Sequence, residues 1–224
     1  MDIGTIENLG IDRVLKRGSG EIVLQSERTL LVRDSISGAH FLACEAPTED
    51  MAALDGCIGR DCDLLVATSR AAAEAAAQRY GFTGKMACRQ VAYYGKKPQP
   101  DGSLTVRTAE ESDFAMLWEN YRMISPEEMK RVIARGDILI GYHKDCPVGF
   151  IGEHLEGSMG MLHIFPEYRR RGFASALQSY QIAKTMEKGN IPFGQVETGN
   201  LASLALQKKL GMEFSEDLVV WLWK

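Results

Sequence analysis

Three consecutive arginines, Arg169, Arg170 and Arg171, stand directly before Gly172 and a run of small and apolar residues, Phe173, Ala174, Ser175, Ala176 and Leu177. Upstream, the mostly apolar run 161–165 is stopped by Pro166; downstream, Phe173, Leu177 and Tyr180 recur at helical spacing. Strand, basic glycine turn and helix in that order make an anion site. Free N–H groups at a helix start point outward, and the aligned peptide dipoles favour negative charge there. Gly172 has no side chain to obstruct a ligand approaching the backbone, and Ala174 has little. The competing reading is an arginine-rich connector whose charges are merely solvated. It explains the arginines but not the strand, glycine and small residues placed around them.

The rest of the composition keeps this charge local. In 224 residues, 26 Lys and Arg face 30 Asp and Glu, a formal net charge of −4, and the sequence pI is about 5.7. Such a chain has no electrostatic footprint for nucleic acid, so the cluster suits a small anion rather than a polyanion. With 45% hydrophobic and 25% charged residues, the composition is that of an ordinary soluble protein of one large domain or two smaller ones. No apolar run reaches the roughly 18 residues of a membrane span. The first residues, MDIGTIENLG, lack the basic and apolar regions of a signal peptide. Cys44, Cys57, Cys62, Cys88 and Cys146 form no CxxC pair, and His40 and His143 each lie near a single cysteine. Reduced thiols in a cytoplasmic protein with no metal site are therefore expected.

In chain order, EIVLQ, TLLVRD and HFLACEA within 21–45 read as short strands separated by turn-like SER and SISG. PTEDMAALDG (47–56) reads as a short helix with Thr48 as N-cap. DLLVAT holds a buried strand, and Ser69 caps the alanine-rich helix RAAAEAAAQRY, which Gly81 ends. MACRQVAYYG reads as a further strand. Residues 96–103, KKPQPDGS, have two prolines, a glycine and no large apolar residue, and read as a domain linker. After it come strand LTVRTA, helices ESDFAMLWENYRM and SPEEMKRVIARG, and a hairpin of DILIGYHK and PVGFIGEHL around Asp145 and Cys146. In the second helix Ser125 is the N-cap, Pro126 takes the first position and Gly136 ends it. The arginine turn and its helix follow, then strand FGQVET, helix LASLALQKKL opened by Asn200 and ended by Gly211, and strand DLVVWLWK. Trp221 and Trp223 share one face of that last strand and read as core or interface residues.

The two halves repeat. Gly211 lies 130 residues after Gly81, and Trp223 lies 130 after Tyr93, with a helix before each glycine and a strand after it. A tandem duplication follows, in which the first copy has no counterpart of the arginine turn.

Several residues of the second half are similar to a known family. Arg169-x-x-Gly172-x-Ala174 after a strand resembles the acyl-CoA signature Q/R-x-x-G-x-G/A of the GNAT superfamily N-acetyltransferases. Asn200, Ser203 and Leu210-Gly211-Met212 resemble that family's closing N…LGF pattern, and the element order over 104–224 matches its topology. The resemblance covers roughly half the chain. A narrower likeness, carried by Pro166–Tyr168–Arg169, is to the tandem glycine N-acyltransferase-like branch. The implied fold is α/β (α+β), with tandem GNAT-like mixed sheets flanked by helices. A degenerate N-terminal domain (1–95) and a linker (96–103) would precede an acyl-CoA-binding domain (104–224).

By that resemblance, the backbone N–H groups of Arg171, Gly172, Phe173, Ala174 and Ser175 bind the diphosphate of acetyl-CoA or CoA. Arg169 takes the first motif position, and Arg170 adds charge. The strand up to Ile164 holds the pantetheine arm, and Asn200 contacts the cofactor or braces its strand. Two departures stand out. Gln207 replaces a tyrosine that often serves as acid toward the leaving thiolate, although a thiol of pKa about 8.5 leaves tolerably unaided. Ser158 aligns near a glutamate base, with Glu153, Glu156, His154, His163 and Glu197 nearby as alternatives. Glu197, Glu153 and His163 are the catalytic candidates. Their bland readings are a loop brace for Glu197 and a core histidine for His163. Glu153 and His154, adjacent on a strand, cannot both face one site. Tyr168 reads as packing.

The expected function is transfer of an acyl group, most simply acetyl, from acyl-CoA to the amine of a small molecule or amino acid by direct attack. Neither nucleic acid nor membrane is an expected partner, and a homodimer is left open. The rival is a non-catalytic acyl-CoA-binding or interaction module with the same fold. A nucleotide-binding protein is disfavoured, since neither a P-loop lysine motif nor GxGxxG is present.

Overall fold

The computed structural model describes residues 2–59, 62–99 and 101–224; Pro100 of the expected linker lies outside them. Seven α-helices and eleven strands are described: α1 (Leu9–Lys16), β1 (Gly20–Gln25), β2 (Thr29–Asp34), β3 (His40–Cys44), α2 (Pro47–Asp50), β4 (Leu64–Ala67), α3 (Arg70–Tyr80), β5 (Gly84–Ala92), β6 (Thr105–Thr108), α4 (Phe114–Asn120), α5 (Pro126–Ala134), β7 (Ile138–His143), β8 (Cys146–Glu153), β9 (Met159–Ile164), α6 (Phe173–Glu187), β10 (Phe193–Glu197), α7 (Leu201–Lys209) and β11 (Glu213–Trp223). The fold is mixed α/β.

Two compact units result. One contains Met1–Ala92, Gln195–Leu204 and Glu213–Lys224; the other contains Tyr93–Gly194 and Ala205–Met212. This division differs from the contiguous halves expected around 96–103, because β11 joins the first unit. There it runs antiparallel between β4 and β5, with Val220 opposite both Ala67 and Ala87.

In the first unit the strands run β1-β2-β3-β4-β11-β5. The pleat sends alternate residues to two cores. Leu31, Leu42 and Leu65 pack with Leu54, Ala72 and Ala76 on the side of α2 and α3. Val32, Phe41 and Val66 pack with Ile11 and Val14 of α1 on the other. Helix α1 has no counterpart in the sequence reading; its apolar set Leu9, Ile11 and Val14 is too short to stand out.

In the second unit the strands run β10-β9-β8-β7-β6. Leu139, Val148 and Ile151 of this sheet pack on Phe173, Ala176 and Leu177 of α6. Both units share a plan: an antiparallel meander, then a crossover to a parallel strand, β3 to β4 in one and β9 to β10 in the other. The repeated strands β5 and β11 also pair with each other, antiparallel.

Local corrections are few. The expected helix 47–56 is one α turn followed by the 3-10 turn Met51–Leu54, and its N-cap position is Ala46, not Thr48. A 3-10 turn, Glu111–Asp113, precedes α4, which stops at Asn120. The β7–β8 turn is Lys144 and Asp145, both left-handed (φ 49 and 64), as a two-residue hairpin of primed type demands; Cys146 already belongs to β8. Ser69 and Ser125 cap their helices, accepting from the N–H groups of Ala72 and Glu128 at 3.2 and 3.1 Å.

Candidate functional site

The arginine turn sits between β9 and α6. Pro166–Tyr168 forms a 3-10 turn, Arg169 is extended, and Arg170 and Gly172 are left-handed (φ 60 and 85). A non-glycine residue with φ near +60 is strained by about 1–3 kcal/mol, and such strain collects at functional turns. The first hydrogen bond of α6 runs from the Ala176 N–H to the Gly172 carbonyl at 3.1 Å. The N–H groups of Phe173, Ala174 and Ser175 thus lie outside the helical ladder, and among the described residues no side chain caps them. A Cβ built on Gly172 meets no atom within 4 Å. The turn therefore leaves open space in front of unspent donors, with the exposed Arg169, Arg170 and Arg171 around it. Arg169 also anchors the turn, its Nε donating to the Ile164 carbonyl at 3.0 Å. The corresponding place in the first unit, after β3, holds Glu45 and then α2 with Glu49 and Asp50 in its first turn. An anion would be repelled there.

Strand β9 is not regular. Phe150 and Gly152 of β8 oppose His163 and Gly160, so β9 carries one extra residue between them. Met161 absorbs it with φ 54. Such a bulge re-aims backbone groups and side chains at a strand that would otherwise be evenly paired.

The three expected catalytic residues fall in different environments. Glu153 is buried (4% exposed) on the α6 side of β8. It accepts from Gln181 Nε2 at 3.1 Å and from the Thr185 hydroxyl, with Lys188 Nζ at 3.8 Å. His163 is half-buried on the opposite face, stacked on Phe150 at 5.6 Å and beside Phe165 at 5.8 Å. Burial and then the charge of Arg169 hold its pKa below the usual imidazole value, so the ring is neutral near pH 7. Glu197 ends β10 in the first unit, exposed. Its charge adds to burial in pushing the Cys88 thiol up to about 12. Asn200, in the same unit, opens α7 as its cap, its Oδ1 accepting from the Ser203 N–H at 3.1 Å.

Gln207 is occupied. Buried at 5% exposure, it trades amide hydrogen bonds with Gln178 of α6 in both directions, the Gln207 Nε2 to Gln178 Oε1 bond being 3.1 Å.

A further cluster lies on the face of β8 and β9 opposite α6. Tyr121, the residue closing α4, has its ring 6.3 Å from that of His154. Burial and the charges of Glu156 and Glu128 push its phenol up to about 12, against the Met161 backbone N–H, which favours the phenolate. Glu128, in the first turn of α5, has its carboxyl raised by burial and by Glu156, against His154 and Arg131, which lower it. Glu156 is 4% exposed and accepts from the Ser158 hydroxyl. The sequence reading considered His154 and Glu156 but missed Tyr121 and Glu128. Only the helical spacing of Glu128 from the N-cap Ser125 marked its place, and nothing in the sequence linked it to residue 154.

Comparisons with known proteins bear on the fold. Residues 148–222 match the family model described as FR47-like protein. No curated protein sequence matches the chain. Among solved structures, a GCN5-related N-acetyltransferase from Kribbella flavida superposes with a TM-score of 0.59 at 13% identity, over 98% of this chain and 94% of its own. A GCN5-related N-acetyltransferase-like protein from Streptococcus suis gives 0.55 at 19%, over 96% and 92%. A tandem GNAT protein from the clavulanic acid biosynthesis pathway gives 0.51 at 12%, over 96% and 87%. The chain has the fold of the GNAT-family N-acetyltransferases, and its segment 148–222 carries the FR47-like pattern within that fold.

Proposed function

We propose that the protein is an acyl-CoA-dependent N-acyltransferase, using acetyl-CoA and a small amine or amino acid. The observation that carries the reading is the turn 169–172. It combines two left-handed residues, three arginines, an uncapped fifteen-residue helix and open space at Gly172. A diphosphate asks for this arrangement of converging backbone donors in a local positive field.

Acetyl-CoA brings an acyl group already activated as a thioester. The chain's own part is to hold and orient it. The N–H groups of Gly172, Phe173, Ala174 and Ser175 and the charges of Arg169, Arg170 and Arg171 would take the diphosphate, and β9 up to Ile164 would lie along the pantetheine arm. The bulged backbone of β9 offers N–H donors to a carbonyl oxygen, where fixed dipoles are effective because they need no reorganisation. Among the expected catalytic residues, His163 is favoured by its place on β9 with its side chain free of α6, whereas Glu153 is engaged by α6.

The second reading, a binding module without turnover, is motivated by Gln207, whose amide is committed to Gln178 and has no acidic proton to give. Thermal unfolding separates these from no binding at all. Millimolar acetyl-CoA should raise the melting temperature, and Gly172→Glu should abolish the shift. Absence of any shift in the unaltered chain overturns both readings. Thiol release across an amine panel then distinguishes enzyme from binding module.

A further inference from the structure

The three arginines of the turn are not equivalent. Arg169 commits its Nε to the Ile164 carbonyl. Arg171 is engaged differently: its guanidinium carbon stands 5.5 Å from the centre of the Tyr168 ring. The ring itself is fixed. Tyr168 closes the 3-10 turn Pro166–Tyr168, and its N–H donates to the Phe165 carbonyl at 2.9 Å. Its side chain packs against the core under α6, with the Phe173 ring 6.5 Å away. Between ring and cation lie the extended Arg169 and the left-handed Arg170. They turn the chain back on itself, so that Arg171 comes over Tyr168. The strained backbone at Arg170 thus has a definite result: it brings an exposed cation onto a held aromatic face.

We infer that Tyr168 is a positioning residue, which holds the Arg171 guanidinium ready for a phosphate ester at the turn. A guanidinium stacked by its face on an aromatic ring keeps its N–H groups in the plane, along the edge, where a phosphate accepts them two at a time. Stacking and phosphate binding are therefore compatible. The ring also removes side-chain freedom that a solvated arginine would lose only on binding, so the ligand meets a charge already placed. Packing accounts for the contact of Tyr168 with Phe173; the cation over the ring is a separate contact, and it falls on a residue of the anion turn itself. The inference rests on the acyl-CoA reading for the identity of the ligand, and it adds which side chain makes the charge of the turn directional.

The test uses the full chain, with acetyl-CoA and inorganic pyrophosphate as probes and affinity read by calorimetry. Tyr168→Leu keeps apolar bulk against Phe173 and removes the aromatic face, whereas Tyr168→Phe keeps both. The leucine variant should bind each probe about two- to fivefold more weakly, and the phenylalanine variant should bind like the unaltered chain. Arg171→Ala leaves the backbone donors and the other two arginines in place, so binding stays measurable in that background. There Tyr168→Leu should have no further effect, because the ring acts through that guanidinium alone. A merely structural role for the ring would instead weaken binding equally in both backgrounds. Unchanged affinity in Tyr168→Leu, failure of Tyr168→Phe to restore it, or the same loss in the Arg171→Ala background overturns the inference. Binding of pyrophosphate without acetyl-CoA overturns the acyltransferase reading alone, and the pyrophosphate cycle still decides the role of Tyr168. Binding of neither probe overturns both.

Discussion

The imidazole of His154 lies across the bare α-carbon of Gly160, one residue before the bulge in β9. Gly160 has no left-handed backbone, so alanine is conformationally acceptable there, yet its methyl would meet the ring. Gly160→Ala should therefore displace His154 while leaving the fold intact. The expected outcome is a destabilisation of about 1–3 kcal/mol in urea unfolding, from the overpacked methyl, with an unchanged acetyl-CoA melting shift. An unchanged stability would mean that the ring swings aside without loss.

Glu153 serves the packing of α6 on β8. Glu153→Ala removes the acceptor of the buried Gln181 amide and Thr185 hydroxyl, while Lys188 keeps its pair with Asp137, so destabilisation of about 1–3 kcal/mol is expected in urea unfolding. Glu153→Gln should be milder and should retain most of kcat. A variant that folds normally yet loses turnover would return Glu153 to the catalytic set.

The Gln178–Gln207 pair predicts strong coupling. Either alanine variant alone orphans a buried amide, at about 1–3 kcal/mol. The double variant should be less destabilised than the sum of the singles, with a coupling of about 1–2 kcal/mol. Gln207→Tyr, which installs the phenol that the GNAT resemblance leads one to expect there, should lower stability and should not raise kcat. Additivity in the cycle would mean the two amides are independent.

Stability should fall in mild acid. His163 and His40 both have folded-state pKa values held below the imidazole reference, by burial first and then by Arg169 and Arg33 respectively. The unfolded chain therefore binds more protons as pH drops through about 6.5. The stability that the neutral rings contribute is full above that pH and is lost as the pH falls toward their folded values. Melting temperatures at pH 7.5, 6.5 and 5.5 should decline in that order, less steeply for His40→Asn. A flat profile across that range would contradict the burial argument.

Much of this molecule was legible because its signals are local. Ser69 and Gly81 bracket α3, Ser125 and Pro126 open α5, and the arginine turn ends a strand and begins a helix within a dozen residues. Period and punctuation suffice for such features. The cluster around His154 was not legible, since Tyr121 at the end of α4 and Glu128 in α5 come near it only in the folded chain. The bulge was hidden for another reason: Met161 adopts a left-handed conformation with none of the glycine or asparagine that usually announces it. Gln207 looked like a lost acid until its partner, twenty-nine positions earlier in the chain, was seen.

The place of β11 has a consequence for synthesis. Strands β4 and β5 leave the ribosome long before residues 213–223 exist, yet those residues must lie between them. Until then the nascent first half presents two apolar strand edges with nothing to pair against, the state in which chains aggregate or recruit chaperones. The repeat that made the fold recognisable thus makes its assembly non-vectorial: the earliest part of the chain is finished by the latest.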